Sequence, residues 1–135
     1  MLLRIAHLWN WWGTGGWLGF IFVISSLPVS SFTQIKEKYS NSLITLIFSD
    51  PVGHSGMFAI LGFLLGYSLG RTFAEWGIVK VILGIFSLGL VLGLATELYQ
   101  MLLISGRSFE WADLGWDAVG LAVACGIFVV VKRYA

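Results

Sequence analysis

Residues 77–104, GIVKVILGIFSLGLVLGLATELYQMLLI, decide the fold class. After Lys80 the chain runs 16 residues without a charge until Glu97. At 1.5 Å per residue that run covers ~25 Å of helix, most of the roughly 30 Å of hydrocarbon in a bilayer. The stretch therefore reads as a spanning helix that carries a carboxylate about one turn short of its far end. Working outward, the charges divide the rest of the 135 residues into three more apolar runs. These are residues 9–28, closed by Pro28; 51–70, closed by Arg71; and 111–131, closed by Lys132 and Arg133. The first run is long for a cleavable signal and is assigned as a spanning helix.

Composition agrees. Apolar and aromatic residues make up 58% of the chain and charged residues 11%, with a mean hydropathy of +0.88. A soluble domain carries about a quarter charged residues, so an ordinary soluble globule is excluded, and so is a disordered chain. One cysteine excludes an internal disulfide and a thiolate zinc site. A net charge of +1 without a basic run leaves no footprint for nucleic acid. The expected fold is an all-α integral membrane protein, a four-transmembrane-helix bundle forming one domain over residues 1–135.

Basic residues in short loops set the orientation. Arg4, Arg71, Lys80, Lys132 and Arg133 fall on one side, and Lys36, Lys38 and Arg107 on the other. Five against three puts both termini in the cytoplasm. In the connection of residues 29–50, Ser31 and Gln34 fit a capping box. Phe32, Ile35, Tyr39, Leu43 and Leu46 then recur at helical spacing. This predicts a short interfacial helix between spanning helices one and two. Glycine pairs four apart, Gly15/Gly19, Gly62/Gly66/Gly70 and Gly89/Gly93, predict close helix packing. Gly106 is placed to end helix three with a left-handed turn. Cys125 reads as core packing.

Polar residues gather at one depth. Twenty residues back from Arg71 lies Pro51, so His54 sits about one turn inside the hydrocarbon. Only 14 uncharged residues separate Asp117 from Lys132, so Asp117 is inside as well, with Asp113 one turn nearer the surface. The alternating directions of the helices bring His54, Glu97, Gln100, Asp113 and Asp117 toward the extracytoplasmic face. Buried ionisable groups must pair or face water, which predicts a shared polar pocket, with Arg107 above it pairing with carboxylates. Asp50, before Pro51, is the expected N-cap of helix two. Glu110 and Asp113 suit the N-terminal dipole of helix four. Five of the seven acidic residues lie in this region, against Arg107 and His54. Protonated carboxylates, a bound cation, or an ammonium- or sugar-bearing headgroup would each resolve the imbalance. No complete metal signature is present, and no resident metal or cofactor is expected.

The same residues carry a resemblance. Ser25-Ser26-Leu27-Pro28, the Asp50-x-x-x-His54 opening followed by Leu61-Gly62, Glu97-x-x-Gln100, Gly106-Arg107, Asp113 and Gly120 together resemble the VanZ-like membrane proteins. Two positions depart from that pattern. Phe58 stands where an aromatic hydroxyl is usual, and Asp117 where an asparagine is usual. The resemblance implies a compact four-helix protein of the bacterial cytoplasmic membrane with a cell-envelope role. The family's namesake is associated with teicoplanin resistance.

Three functions fit the residues. The first is binding of an outer-leaflet lipid or amphiphile in the acidic pocket. The second is an accessory subunit of a larger membrane complex, respiratory or photosynthetic, in which the polar cluster is interhelical glue. The third is an enzyme on a lipid-linked substrate, with Glu97, Asp113 or Asp117 as general acid or base and His54 as partner. A non-enzymatic role is favoured because no nucleophile motif or phosphate loop is present. A channel is disfavoured, since polar residues at one end leave no polar path across.

Overall fold

Apolar runs without an internal proline keep their backbone hydrogen bonds within the segment, as a bilayer requires. Three such runs become long helices in the computed structural model, which describes residues 10–39, 42–47 and 49–134. Helix α1 is Trp12–Ser25, and two short helices follow, α2 (Val29–Lys38) and α3 (Ser42–Ile47). The long helices are α4 (Asp50–Thr72), α5 (Ile78–Leu103) and α6 (Trp111–Tyr134). No strand occurs among the described residues. Helices α4, α5 and α6 are each long and apolar enough to cross a membrane.

Three sequence expectations change. The first run is helical over only 14 residues, ~21 Å, and Arg4 and Trp9 lie outside the described residues. The capping box does not form. Pro28, held extended at φ −66° and ψ 152°, takes the cap position, which places Ser31 and Gln34 inside α2. The connection holds two short helices instead of one, because Tyr39 leaves helical geometry at φ −117° and ψ 72°. At the other end of the molecule α6 runs past Val131, with Lys132 and Arg133 in its last turn, where cations complement the helix dipole.

Helices α4 and α6 share the most extensive contact in the bundle. Small residues allow it. A Cβ at Gly120 would strike the Ser55 carbonyl oxygen and come within 2.8 Å of the Ala59 nitrogen, so α6 rests on the bare backbone of α4. One turn further along, a Cβ at Gly62 would lie 2.7 Å from that of Ala124. Around this seam Phe58, Leu61, Leu65 and Leu69 of α4 pack with Val81 and Ile85 of α5. Leu121, Cys125 and Phe128 of α6 and Ile21 of α1 complete the core.

Helix α1 attaches differently. Its inward face is Thr14, Ile21 and Ser25, so Gly15 and Gly19 look outward and meet nothing within 4 Å. The glycine step expected to pack on helix one does not. Hydrogen bonds replace it. Trp11 Nε1 donates to Thr72 Oγ1 at 2.9 Å and Trp17 Nε1 to the Met57 carbonyl at 2.9 Å. Ser68 Oγ donates to the Asn10 carbonyl at 2.7 Å, leaving Thr14 to donate to Ser68 Oγ at 2.8 Å. Together they hold α1 antiparallel to α4.

Gly120→Ala is expected to destabilise the bundle by about 1–3 kcal/mol, since its new methyl meets backbone that cannot yield. Gly126→Ala, which meets nothing within 4 Å, should change stability by no more than about 1 kcal/mol. Thermal unfolding of both variants in detergent, read by intrinsic tryptophan fluorescence, compares them.

Candidate functional site

The Gly120 seam sets Asp117, three residues earlier on α6, against His54 of α4. His54 Nδ1 lies 2.8 Å from Asp117 Oδ1, and His54 Nε2 lies 3.3 Å from Asp113 Oδ2. The i, i+4 spacing of Asp113 and Asp117 lets one imidazole engage both. Ser55 reinforces the register by donating its hydroxyl to the Trp116 carbonyl at 3.1 Å.

Glu97 enters from α5. It is 1% exposed, and Asp117 is fully buried. One Glu97 oxygen, Oε2, accepts the backbone N–H of Glu110 at 3.1 Å. Glu110 is also where α6 begins, since its carbonyl accepts the N–H of Asp113 at 3.1 Å. The acid of α5 therefore ties down the entry to α6, a link between residues on separate elements that no local spacing reveals. Among the described residues, Glu97 Oε1 and Asp117 Oδ2 are buried without a hydrogen-bond partner. A Cβ at Gly93 would lie 2.7 Å from Asp117 Oδ2, which places that oxygen against α5 one turn before Glu97.

Gln100, also buried, donates through Nε2 to the Ser25 carbonyl at 3.3 Å. The Ser25-Ser26 pair thus meets α5. Ser26 Oγ donates to the Phe22 carbonyl at 2.7 Å, leaving the Tyr99 hydroxyl to donate to Ser26 at 2.8 Å. The spacing of Glu97 and Gln100 places one toward α6 and the other toward α1.

Two assignments change here. Asp50 is not the N-cap. The first helical bond runs from the Gly53 N–H to the Ser49 carbonyl at 2.8 Å, so Ser49 caps α4 and Asp50 opens its first turn. An acid there still favours the positive end of the dipole. Arg107 makes no ion pair among the described residues. Its guanidinium sits 5.6 Å from the centre of the Phe32 ring, and its Nε is buried without a partner. The turn carrying Arg107 is set by Gly106 at φ +82°, the left-handed conformation expected of that glycine, and it aims the arginine over α2.

Beside the cluster lies a cavity of about 410 Å³. Its walls are apolar: Trp17, Phe20 and Ile24 of α1, Phe32 of α2, and Val52, Met57 and Ile60 of α4. Ser25, Ser49, Asp50, His54, Gln100 and Arg107 supply its polar atoms. A smaller cavity of about 170 Å³ adjoins it and shares Phe32, Asp50 and Arg107. The cavity walls escape sequence reasoning, because an apolar residue lining a cleft has the same character as one facing lipid. Asp113 and Asp117 do not line the larger cavity; they stand behind His54.

The fold and site define a class: an all-helical membrane protein whose buried polar cluster sits at one end of its bundle, beside an apolar cleft. The VanZ/LLP1 family model matches residues 9–132, and the chain belongs to that family. No curated protein and no solved structure matches it.

His54→Ala would leave two carboxylates buried without their partner, and breaking a buried pair this way costs about 3–5 kcal/mol. Asp117→Asn in the same background removes one of those charges and is expected to restore part of the loss. A double-mutant cycle on thermal unfolding should give a coupling of about 0.5–3 kcal/mol; additive effects would mean that the two residues do not act as a pair.

Proposed function

We propose that this protein is a cell-envelope component of the bacterial cytoplasmic membrane that holds an outer-leaflet lipid or a similar amphiphile. The apolar part of the ligand occupies the cleft between α1 and α4, and its polar end meets His54, Gln100 and Arg107. The observation that carries this reading is the cavity of about 410 Å³, apolar along its walls and polar at one end. Sites for small molecules combine an apolar lining with a few placed polar groups in the same way. Three of the wall residues, Phe20, Val52 and Ile60, are also 46%, 41% and 45% exposed, so the cleft reaches the outer surface of the bundle. A membrane amphiphile would enter there sideways, without leaving the bilayer.

Four crossings follow from the same reading. Trp11, the N-cap of α1, meets Thr72 at one end of α4, and Ser25 meets Gln100 at the other end of the bundle. Helix α1 therefore runs alongside the spanning helices and serves as the first crossing. The bias of basic residues puts both termini in the cytoplasm and the cleft in the outer half of the membrane. Helices α2 and α3 lie in the interface over the polar end, where Phe32 reaches the cavity. A bound envelope amphiphile links this site to the glycopeptide (teicoplanin) resistance associated with the family's namesake.

Gly53→Phe tests the proposal. Gly53 lines the cavity and a Cβ there meets nothing within 4 Å, so the ring fills the cleft without disturbing the packed seam. Wild-type protein, taken from its native membrane in mild detergent, is expected to carry a retained lipid in native mass spectrometry. The Gly53→Phe protein should lose it and shift teicoplanin susceptibility in the same direction as deletion. Recovery in a fixed-stoichiometry assembly, with no retained lipid in either protein, would replace this reading with the accessory-subunit one. Turnover of a lipid-linked substrate that requires Glu97 would replace it with the enzymatic one.

A further inference from the structure

We propose that His54, Glu97 and Asp113 bind one divalent cation of the zinc class, with Asp117 holding the histidine in position. The site goes beyond the amphiphile reading and does not depend on it.

The donors come from three helices. A ring nitrogen of His54, a carboxylate oxygen of Glu97 and one of Asp113 all lie within 4.8 Å of one another. Three carboxylates and an imidazole do not by themselves make a metal site. The bonding around them supplies the further reasons. Asp117 Oδ1 sits 2.8 Å from His54 Nδ1. A carboxylate only accepts, so the Nδ1 proton points at Asp117; in the neutral form of the ring, the form that binds a metal, the lone pair is then on Nε2. That lone pair faces Asp113 Oδ2 at 3.3 Å. Two acceptors turned toward one another at this distance hold either a second ring proton, with His54 as imidazolium, or a metal ion between them. Zinc–nitrogen bonds near 2.0 Å arranged as a tetrahedron give a ligand-to-ligand edge of ~3.3 Å.

Glu97 gives the independent observation. Its side chain is 99% removed from solvent, being 1% exposed. Oε2 is occupied by the Glu110 N–H at 3.1 Å, while Oε1 is buried with no partner among the described residues. An oxygen in that state loses its hydration without compensation. Coordination would supply it. Arg107 does not, because its guanidinium is over the Phe32 ring.

One imidazole and two carboxylates suit a borderline cation such as zinc. A carboxylate on the non-coordinating ring nitrogen is the usual outer support of a metal-bound histidine, and Asp117 stands in that place. A dication balances the two coordinating carboxylates. Three protein ligands leave a fourth position open, and His54 also lines the adjoining cavity.

The test uses the full chain purified in mild detergent, stripped with chelator and titrated with zinc chloride alone. Metal per chain is read by mass spectrometry of the eluted protein. The wild type should hold one zinc per chain, and stripped protein loaded with cobalt should show the visible bands of a four-coordinate site. His54→Ala and Glu97→Gln should each reduce zinc affinity more than tenfold. Asp117→Asn should weaken it by about 10- to 100-fold while keeping the same stoichiometry. Glu75→Gln, at an exposed loop acid, should retain wild-type binding. The cobalt spectrum needs no variant, so a variant that fails to fold leaves the test intact. Wild-type protein with neither zinc nor cobalt bound would overturn the proposal, and so would zinc held equally well by His54→Ala and Glu97→Gln.

Discussion

The bundle depends on one close approach, that of α6 to the backbone of α4 at Gly120. Lipid tails are as apolar as the helices, so burial from water does not drive α4 and α6 together inside a membrane. Packing and hydrogen bonds must do so. At Gly120 there is no room for a side chain, because the Ser55 carbonyl and the Ala59 nitrogen occupy the space. That contact fixes which face of α6 meets α4. Three residues before it Asp117 reaches His54, and seven residues before it Asp113 reaches the other ring nitrogen. Four residues after it Ala124 meets Gly62. The polar site and the dry core are thus two ends of one seam, placed by the same glycine.

Helix α1 lacks such a seam, and the difference shapes the molecule. Gly15, Gly16 and Gly19 face outward, and the helix is held to α4 by indole and hydroxyl hydrogen bonds. Bonds of this kind bridge larger gaps than interdigitated small residues do. Space consequently remains between α1 and the first turns of α4, and it is bounded by large flat side chains, Trp17 and Phe20 among them. The cleft between α1 and α4 therefore stays open, where a tight seam would have closed it.

Charge spacing made the depth of the cluster readable. Counting back from Arg71 and Lys132 and forward from Lys80 places His54, Asp117 and Glu97 at one level, and the structure brings them together from three helices. The spacing of Glu97 and Gln100 is likewise readable, although not the different partners they take. Other features depend on contacts that no local pattern encodes. Arg107 is drawn over Phe32, a residue 75 positions earlier, and not to a carboxylate. Pro28 competes for the cap position that Ser31 and Gln34 advertise, and wins because its fixed φ already suits entry into a helix. Gly15 and Gly19 have the spacing of a packing step, but rotation about the helix axis turns them outward, and spacing carries no information about which way a face points.

The two positions at which this chain departs from the VanZ-like pattern meet at the same place. A Cβ at Gly93 would touch both the Phe58 ring, at 3.4 Å, and Asp117 Oδ2, at 2.7 Å. An aromatic hydroxyl in place of Phe58, or an amide in place of Asp117, would each bring a donor to this corner. Phe58 brings none, and the second carboxylate oxygen of Asp117 needs one. Phe58 thus brings no hydrogen-bond donor to Asp117 Oδ2, which is buried without a partner among the described residues. A buried acceptor without a partner costs about 1–3 kcal/mol, more when it is charged. Neither basic side chain at this end bonds to that oxygen. His54 is engaged by Asp113 and by the other oxygen of Asp117, and Arg107 is stacked on Phe32. The second oxygen of Asp117 is thus left at this corner without a donor, behind His54 and away from the wall of the cleft.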